Sequence, residues 1–238
     1  MTKAYLDPED IDRIEENTLG WSPALRRYVP ILMYRLLIRL LYRTGCRVSE
    51  ALALEVKDVD LQQGTITIKH LKARLRLYCP ECETRLGRTH RYCPGCGAHV
   101  ERAVERALER QRVRTLPVDR STLDMLKEYI ERGGPVERNG KLLLFGIQRR
   151  QAHKIVRDAA ARAGIGKLVN PETGREHWVS PHRLRDAHAI RAIKVDDSTD
   201  GVRMLQEQLG HASIATTMKY RKVAGAELRE WYERIWKE

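Results

Sequence analysis

Apolar residues come in blocks along this chain, and the spacing inside most blocks is helical. Ile11, Ile14 and Leu19 follow Asp7-Pro8-Glu9-Asp10, a run that caps and starts a short helix. From Ser22-Pro23 to Arg43 apolar positions are dense enough to predict one long helix, buried on most sides. Its arginines, at 35, 39 and 43, share a stripe that can face solvent or touch phosphates. Gly45 can end that helix, and Ser49 with Glu50 suits the start of a short one. The period then changes. Asp58 to Gly64 reads as a strand running into a turn, and Thr65-Ile66-Thr67-Ile68-Lys69-His70 alternates as a β-branched strand. Val100 to Arg110 repeats Glu and Arg at three- and four-residue steps, which predicts a salt-bridged helix. Further helices are expected over Ser121 to Arg132, Gln148 to Ala163 and Ser198 to Leu209. Between them lie a short buried segment, Leu142 to Phe145, and an irregular loop or hairpin from Gly164 to Val179. The stretch from Ala224 to Lys237 reads as an amphipathic helix carrying Trp231, Tyr232, Ile235 and Trp236.

Chemistry concentrates between Ser180 and Tyr220. Pro181 is placed to open a helix on which His182 and Arg185 share a face. Leu209-Gly210-His211 and Met218-Lys219-Tyr220 follow, with Ser213, Thr216 and Thr217 between them. Two imidazoles, a guanidinium and a phenol suit an anionic substrate and a hydroxyl nucleophile. Upstream, Arg47 is held at a helix junction, where its planar fork is suited to bidentate grip on a phosphate.

Charge points the same way. Lys plus Arg number 44 against 32 Asp plus Glu, a formal +12 in 238 residues, and nucleic acid is the usual partner of such a surface. The chain is long enough for one large domain or two small ones. Its N-terminus carries no apolar core segment of the secretory kind, and the most apolar stretch, Val29 to Leu41, is broken by Arg35 and Arg39. No membrane partner is therefore expected, and the location expected is cytoplasmic.

Of the five cysteines, four stand in two hooks, Cys79-Pro80-Glu81-Cys82 and Cys93-Pro94-Gly95-Cys96, ten residues apart. Four thiolates so arranged suit a tetrahedral Zn²⁺ that is structural, because four protein ligands leave no open position. A ribbon over residues 77–101 is the expected unit. His90 and His99 are read as surface polar residues, since the cysteines already complete the shell. From Leu71 to Arg114 there are eleven Lys or Arg against five Glu, a formal +6. Such a basic ribbon could grip DNA, contact another protomer or only stabilise the insertion.

Thr44-Gly45-Cys46-Arg47-Val48-Ser49-Glu50, His182-x-x-Arg185, Leu209-Gly210-His211 and Tyr220, in this order and with these gaps, resemble the signature of the tyrosine recombinase family (phage integrase, Xer-type). The resemblance spans roughly residues 20–225 apart from the insertion. It implies a mainly α catalytic fold with a small antiparallel β-sheet, covering residues 1–238, with the ribbon inserted in the β-hairpin region. By that resemblance Arg47 and Arg185 would clamp the scissile phosphate and His211 would add a donor. Tyr220 would attack phosphorus to leave a 3′-phosphotyrosyl link, His182 would assist proton transfer, and Glu50 would brace the site. A lysine on the hairpin would serve as general acid, Lys72 by position with Lys69 as fallback, although the family's Gly-Lys-Gly turn is absent. Gln111 to Pro117 would be the partner strand. Double-stranded DNA and a homo-oligomer, a tetramer, on that DNA are the implied partners. Fixed cations suit such a site, because charge grows on the phosphate in the transition state. The roughly 20 residues before the long helix are too few for the family's usual N-terminal helical domain. Alternative readings are a type IB topoisomerase-like enzyme, which needs only one duplex, and a zinc-ribbon DNA-binding protein on an inactive scaffold, against which the intact constellation argues. A metal-dependent nuclease lacks a compact carboxylate cluster.

Overall fold

Asp7 caps the first helix, α1 (Pro8–Glu16), and exchanges side chain-to-backbone hydrogen bonds with Asp10 in a capping box. The computed structural model describes residues 3–69, 75–87, 89–100, 104–107, 113–170, 173–223, 232, 235 and 236. After α1 the chain departs from expectation. The start of the predicted long helix is instead a hairpin, β1 (Leu19–Ser22) and β2 (Arg27–Pro30), and α2 begins only at Leu32 (Leu32–Thr44). Pro30 is the cause: it has no N–H to donate and keeps the residue before it out of helical conformation.

Helix α2 ends at Gly45, whose φ of 60° is left-handed. A Cβ there would lie 2.6 Å from His188 Cδ2 and 2.8 Å from Leu209 Cδ2, so close packing also demands glycine. A short helix, α3 (Val48–Ala51), follows, then β3 (Val59–Asp60) and β4 (Thr65–Lys69). Next come β5 (Leu75–Tyr78), β6 (Arg85–Leu86), β7 (Val104–Ala107) and β8 (Val113–Pro117). The rest is helical with small hairpins: α4 (Arg120–Glu131), β9 (Val136–Arg138), β10 (Lys141–Leu143), α5 (Arg149–Arg162), β11 (Leu168–Val169), β12 (Glu176–His177), α6 (Pro181–Val195), α7 (Thr199–Leu209) and α8 (Ile214–Val223). The expected mainly α fold with small antiparallel sheets is what the chain adopts.

Two compact units result. The larger comprises Met1–Ile68 and Arg114–Glu238, and the smaller Lys69–Val113, which contains the expected 77–101 ribbon. In the larger unit α2 packs along α6, and Leu36, Leu37, Leu40 and Leu41 are fully buried with Leu184 in one core. Each such leucine contributes about 1.5–3 kcal/mol on burial, which is what fixes the two helices to one another. A second cluster of Ala189, Ile193, Leu205 and Leu209 joins α6 to α7, with Tyr220 of α8 packed against it. The arginine stripe on α2 is neither bare nor free. Arg39 pairs with Glu15 at 2.6 Å and with Ser121 at 2.7 Å, Arg35 lies 3.7 Å from Glu15, and Arg43 lies 3.8 Å from Asp119. It ties α1, α2 and the start of α4 together.

In the smaller unit the sheet order is β6-β5-β7, all antiparallel. The helix expected over Val100–Arg110 is therefore a strand where described, with Val104 opposite Tyr78 and Ala107 opposite Leu75. Pairing with β5 supplies the backbone of β7 with partners that local helix propensity could not outweigh. The amphipathic helix expected over 224–237 lies largely outside the described residues.

Candidate active site

The junction between α2 and α3 builds the floor of the site. Arg47 is the N-cap of α3, and its own backbone N–H donates to Glu50 Oε2 at 2.9 Å, closing the turn. Its guanidinium Nη1 donates to Glu50 Oε1 at 3.0 Å. Glu50, with a side chain 1% exposed, also accepts from Arg114 Nη2 at 2.7 Å. Sequence reading gave Arg114 no role. On β8 it shares a face with buried Leu116, so an arginine at an inward position of an alternating strand was the available signal. The Nε and Nη1 of Arg114 are buried with no hydrogen-bond partner among the described residues, and a Cβ on Gly210 would lie 2.8 Å from that Nη1.

Helix α6, started by Pro181, supplies the opposite wall. Arg185 is buried and donates to Gly45 O at 2.6 Å and to Leu209 O at 2.8 Å. It thereby ties the ends of α2 and α7, the two glycine-terminated helices. Its Nη2 lies 2.9 Å from His211 Nε2. Because a guanidinium only donates, Nε2 accepts, and the ring proton sits on Nδ1, 2.8 Å from Thr217 Oγ1. Burial, with the neighbouring Arg185, Arg47 and Arg114, pushes the His211 pKa down to about 4, so the ring is neutral at pH 7. Burial, with the charges of Arg47 and Arg114, likewise lowers the Arg185 pKa. These cations are close enough to feel one another, and Glu50 partly offsets their repulsion.

Tyr220, on α8, stacks on His211 with ring centroids 6.2 Å apart and planes at 14°. Its hydroxyl donates to Asp186 Oδ1 at 2.9 Å. Burial and then the Asp186 carboxylate hold its pKa above the usual phenol range. Asp186 also accepts from Arg183 Nη1 at 3.0 Å, while His182 Nε2 lies 3.8 Å from the same Oδ1 that Tyr220 uses. Asp186 too had no assigned role, although it stands four residues after His182 on a helix and so beneath it. The fold thus brings Arg47, Glu50, His182, Arg185, His211 and Tyr220 into one neighbourhood and adds Arg114 and Asp186. Lys72 lies outside the described residues, and Lys69, the fallback, closes β4 half-buried.

In the smaller unit the sulfurs of Cys79, Cys82, Cys93 and Cys96 all lie within 4.8 Å of one another and could hold a metal ion. The Cys79–Cys96 and Cys82–Cys93 separations are 3.7 and 3.4 Å. Sulfurs around a tetrahedral zinc with ~2.3 Å bonds stand about 3.8 Å apart, so the donors fit. The two hooks are built alike. Cys79 N–H donates to Thr84 O and Cys93 N–H to Ala98 O, while Glu83 and Gly97 take left-handed backbone at φ 57° and 74°. A Cβ on Gly95 would lie 2.3 Å from Thr84 Oγ1, so one hook closes tightly on the other. Among the described residues the buried core of this unit is Cys79, Leu86 and Cys93. Leu77 and Val100 pack against it, so two of the four sulfur donors sit in the middle of this described core. His90 and His99 are exposed, as expected.

A guanidinium and imidazole cluster over an arginine–glutamate floor, with a tyrosine brought in by the following helix, defines a tyrosine recombinase catalytic domain. The chain matches the phage integrase family over residues 7–94 and 98–227, and it belongs to that family. It is 29% identical over 212 residues to the tyrosine recombinase XerD of Mycobacterium leprae, covering 84% of this chain and 51% of that protein. With the tyrosine recombinase XerC of Halalkalibacterium halodurans it shares 28% identity over 229 residues, 96% of this chain and 61% of the relative. The crystal structure of XerA recombinase has the same fold, with a TM-score of 0.62 at 20% identity over 100% of this chain and 65% of that one. The chain therefore spans about half to three fifths of the curated relatives named here. Among the described residues no helix is long and apolar enough to cross a membrane.

Proposed function

We propose that this chain cuts and rejoins duplex DNA as a site-specific recombinase, through a covalent 3′-phosphotyrosyl intermediate on Tyr220. The observation that carries the reading is the placement of Tyr220 against His211 and within the charge field of Arg185 in the same chain. Arg47 and Arg185 clamp the non-bridging oxygens of the scissile phosphate, and the charge that builds on phosphorus is met by cations already fixed in place. His211 adds a hydrogen bond to the phosphate once DNA displaces its Nε2 from Arg185 and the ring proton moves to that nitrogen, and Glu50 holds Arg47 and Arg114 in register. The leaving 5′-oxygen takes its proton from a lysine of the hairpin region, Lys72 by the resemblance. Because the phosphodiester energy is kept in the protein–DNA link, resealing needs no ATP. Strand exchange requires two duplexes held together, so several copies, a tetramer in the simplest case, assemble on DNA. The work is cytoplasmic. The four-cysteine cluster holds a structural Zn²⁺, for which the convergence of four sulfurs within 4.8 Å of one another is the supporting observation.

The test is covalent capture. A randomised pool of duplexes bearing a 5′-bridging phosphorothiolate, offered with a chelator present, should yield an adduct on Tyr220 that survives a denaturing gel. Tyr220→Phe should abolish the adduct while salt-sensitive DNA binding persists. Equal loss of binding and capture would make Tyr220 a structural residue and end this reading.

A further inference from the structure

The nucleophile's proton has to go somewhere, and the geometry names the place. The acceptor facing Tyr220 Oη is Asp186 Oδ1, at 2.9 Å, on a side chain that is 8% exposed. His211 is badly placed to take this proton. It lies parallel to the phenol rather than end-on, its Nε2 accepts from Arg185, and its Nδ1 faces Thr217. His182 is 69% exposed and approaches Asp186, 3.8 Å from the same oxygen. Arg183 fixes the other carboxylate oxygen at 3.0 Å, so Oδ1 is aimed rather than free to rotate away.

Building on the recombinase reading, we propose that Asp186 is the catalytic base that takes the phenolic proton of Tyr220 as it attacks the scissile phosphate. As the Oη–P bond forms, the O–H bond breaks and its proton passes to Oδ1. The P–O5′ bond breaks with its electron pair on the 5′-oxygen, which is protonated from the hairpin side. Resealing runs the same steps backward, and Asp186 returns the proton to the departing phenolate. A carboxylate beside an anionic phosphate looks costly at first. Yet it is neutralised just as the phosphorus centre gains charge, so charge moves within the site and the guanidiniums of Arg47, Arg114 and Arg185 face a nearly constant load. His182 acts behind Asp186 as a positioning residue.

The test uses a duplex recovered by the wild-type chain from the phosphorothiolate pool. Asp186→Asn should slow single-turnover capture by about 10²–10⁴-fold, the usual range for a lost acid or base, with DNA binding unchanged. The defect should persist on the phosphorothiolate, whose thiolate leaves without a proton, and should be relieved when Tyr220 is replaced by a polyfluorinated tyrosine that is already ionised at neutral pH. Capture as fast as wild type, or faster, would show that Asp186 merely restrains the tyrosine. A defect erased by the phosphorothiolate would place Asp186 on the leaving-group side. Either result overturns the assignment. Should the Asn variant fail to fold, fluorotyrosines in the chain with Asp186 intact decide the matter. A base already in place leaves the rate nearly flat as the phenol becomes more acidic, whereas a rise in step with the phenolate fraction refutes it. A wild-type chain that captures no duplex at all would instead remove the recombinase reading, and Asp186 with it.

Discussion

Glu50 is the carboxylate on which the arginine floor of the site rests, and its replacement by Gln tests that floor directly. The change keeps the shape and removes one charge. Arg114, with a side chain only 10% exposed, then loses its anion, and among the described residues its Nε and Nη1 have no partners to fall back on. Breaking a buried pair by removing one member costs about 3–5 kcal/mol. The share from Arg47 is small, because that side chain is 31% exposed and water screens it, leaving about 0–1 kcal/mol. The amide oxygen of Gln still accepts one hydrogen bond, so the lower end, about 3 kcal/mol, is the expected loss. At about 2–4 °C per kcal/mol for a chain of this size, the melting temperature should fall by roughly 6–12 °C. Calorimetry with zinc in excess, so that the smaller unit does not confuse the transition, is the assay. Glu50→Gln combined with Arg114→Met removes both charges and should recover most of the loss, a coupling that a double-mutant cycle reads directly. A single variant that melts within 2 °C of wild type (about 0.5–1 kcal/mol), or a double variant as unstable as the two losses added, would refute the idea that this buried pair supports the site.

Two further outcomes are expected. His211 should titrate near 4 by NMR, far below the ordinary 6.5, because the folded state buries it neutral beside Arg185. The unfolded chain then binds that proton first, so the contribution is complete above pH 6.5 and is lost as pH falls toward 4. Buried His188, also held down to about 4, works in the same direction. Denaturant midpoints that are flat between pH 7 and pH 5 would contradict this. Removing the metal, by strong chelation or by Cys79→Ser with Cys93→Ser, should release one zinc per chain by elemental analysis and collapse amide protection in the smaller unit. Unchanged metal content in the double variant would dismiss the cluster as a ligand set.

What the sequence made legible was whatever depended on local pattern. Gly45 and Gly210 as helix ends, the α4, α5 and α7 spans, the alternating strand at Thr65 and the paired cysteine hooks could all be read from spacing alone. The misses have distinct physical origins. Pro30 is a stop signal inside an apolar block, and it overrides the helical density of the hydrophobic residues around it. Asn139-Gly140, both left-handed at φ 51° and 70°, is a two-residue hairpin signal that went unread between β9 and β10. The Glu–Arg repeat before β8 has helical spacing, yet its pairing partner lies some 30 residues upstream, beyond any local window. Arg114 and Asp186 carried only weak local signals for a related reason. Each matters through what it faces, Glu50 from 64 residues away and Tyr220 from 34.

Tyr220 rests on the Asp186 and His211 of its own chain. If the proposed chemistry holds, drawing α8 away from α6 would part the tyrosine from its aspartate and silence the copy, and letting it back would license it. The hydrogen bond between a tyrosine and an aspartate would then set the threshold of a mechanical switch.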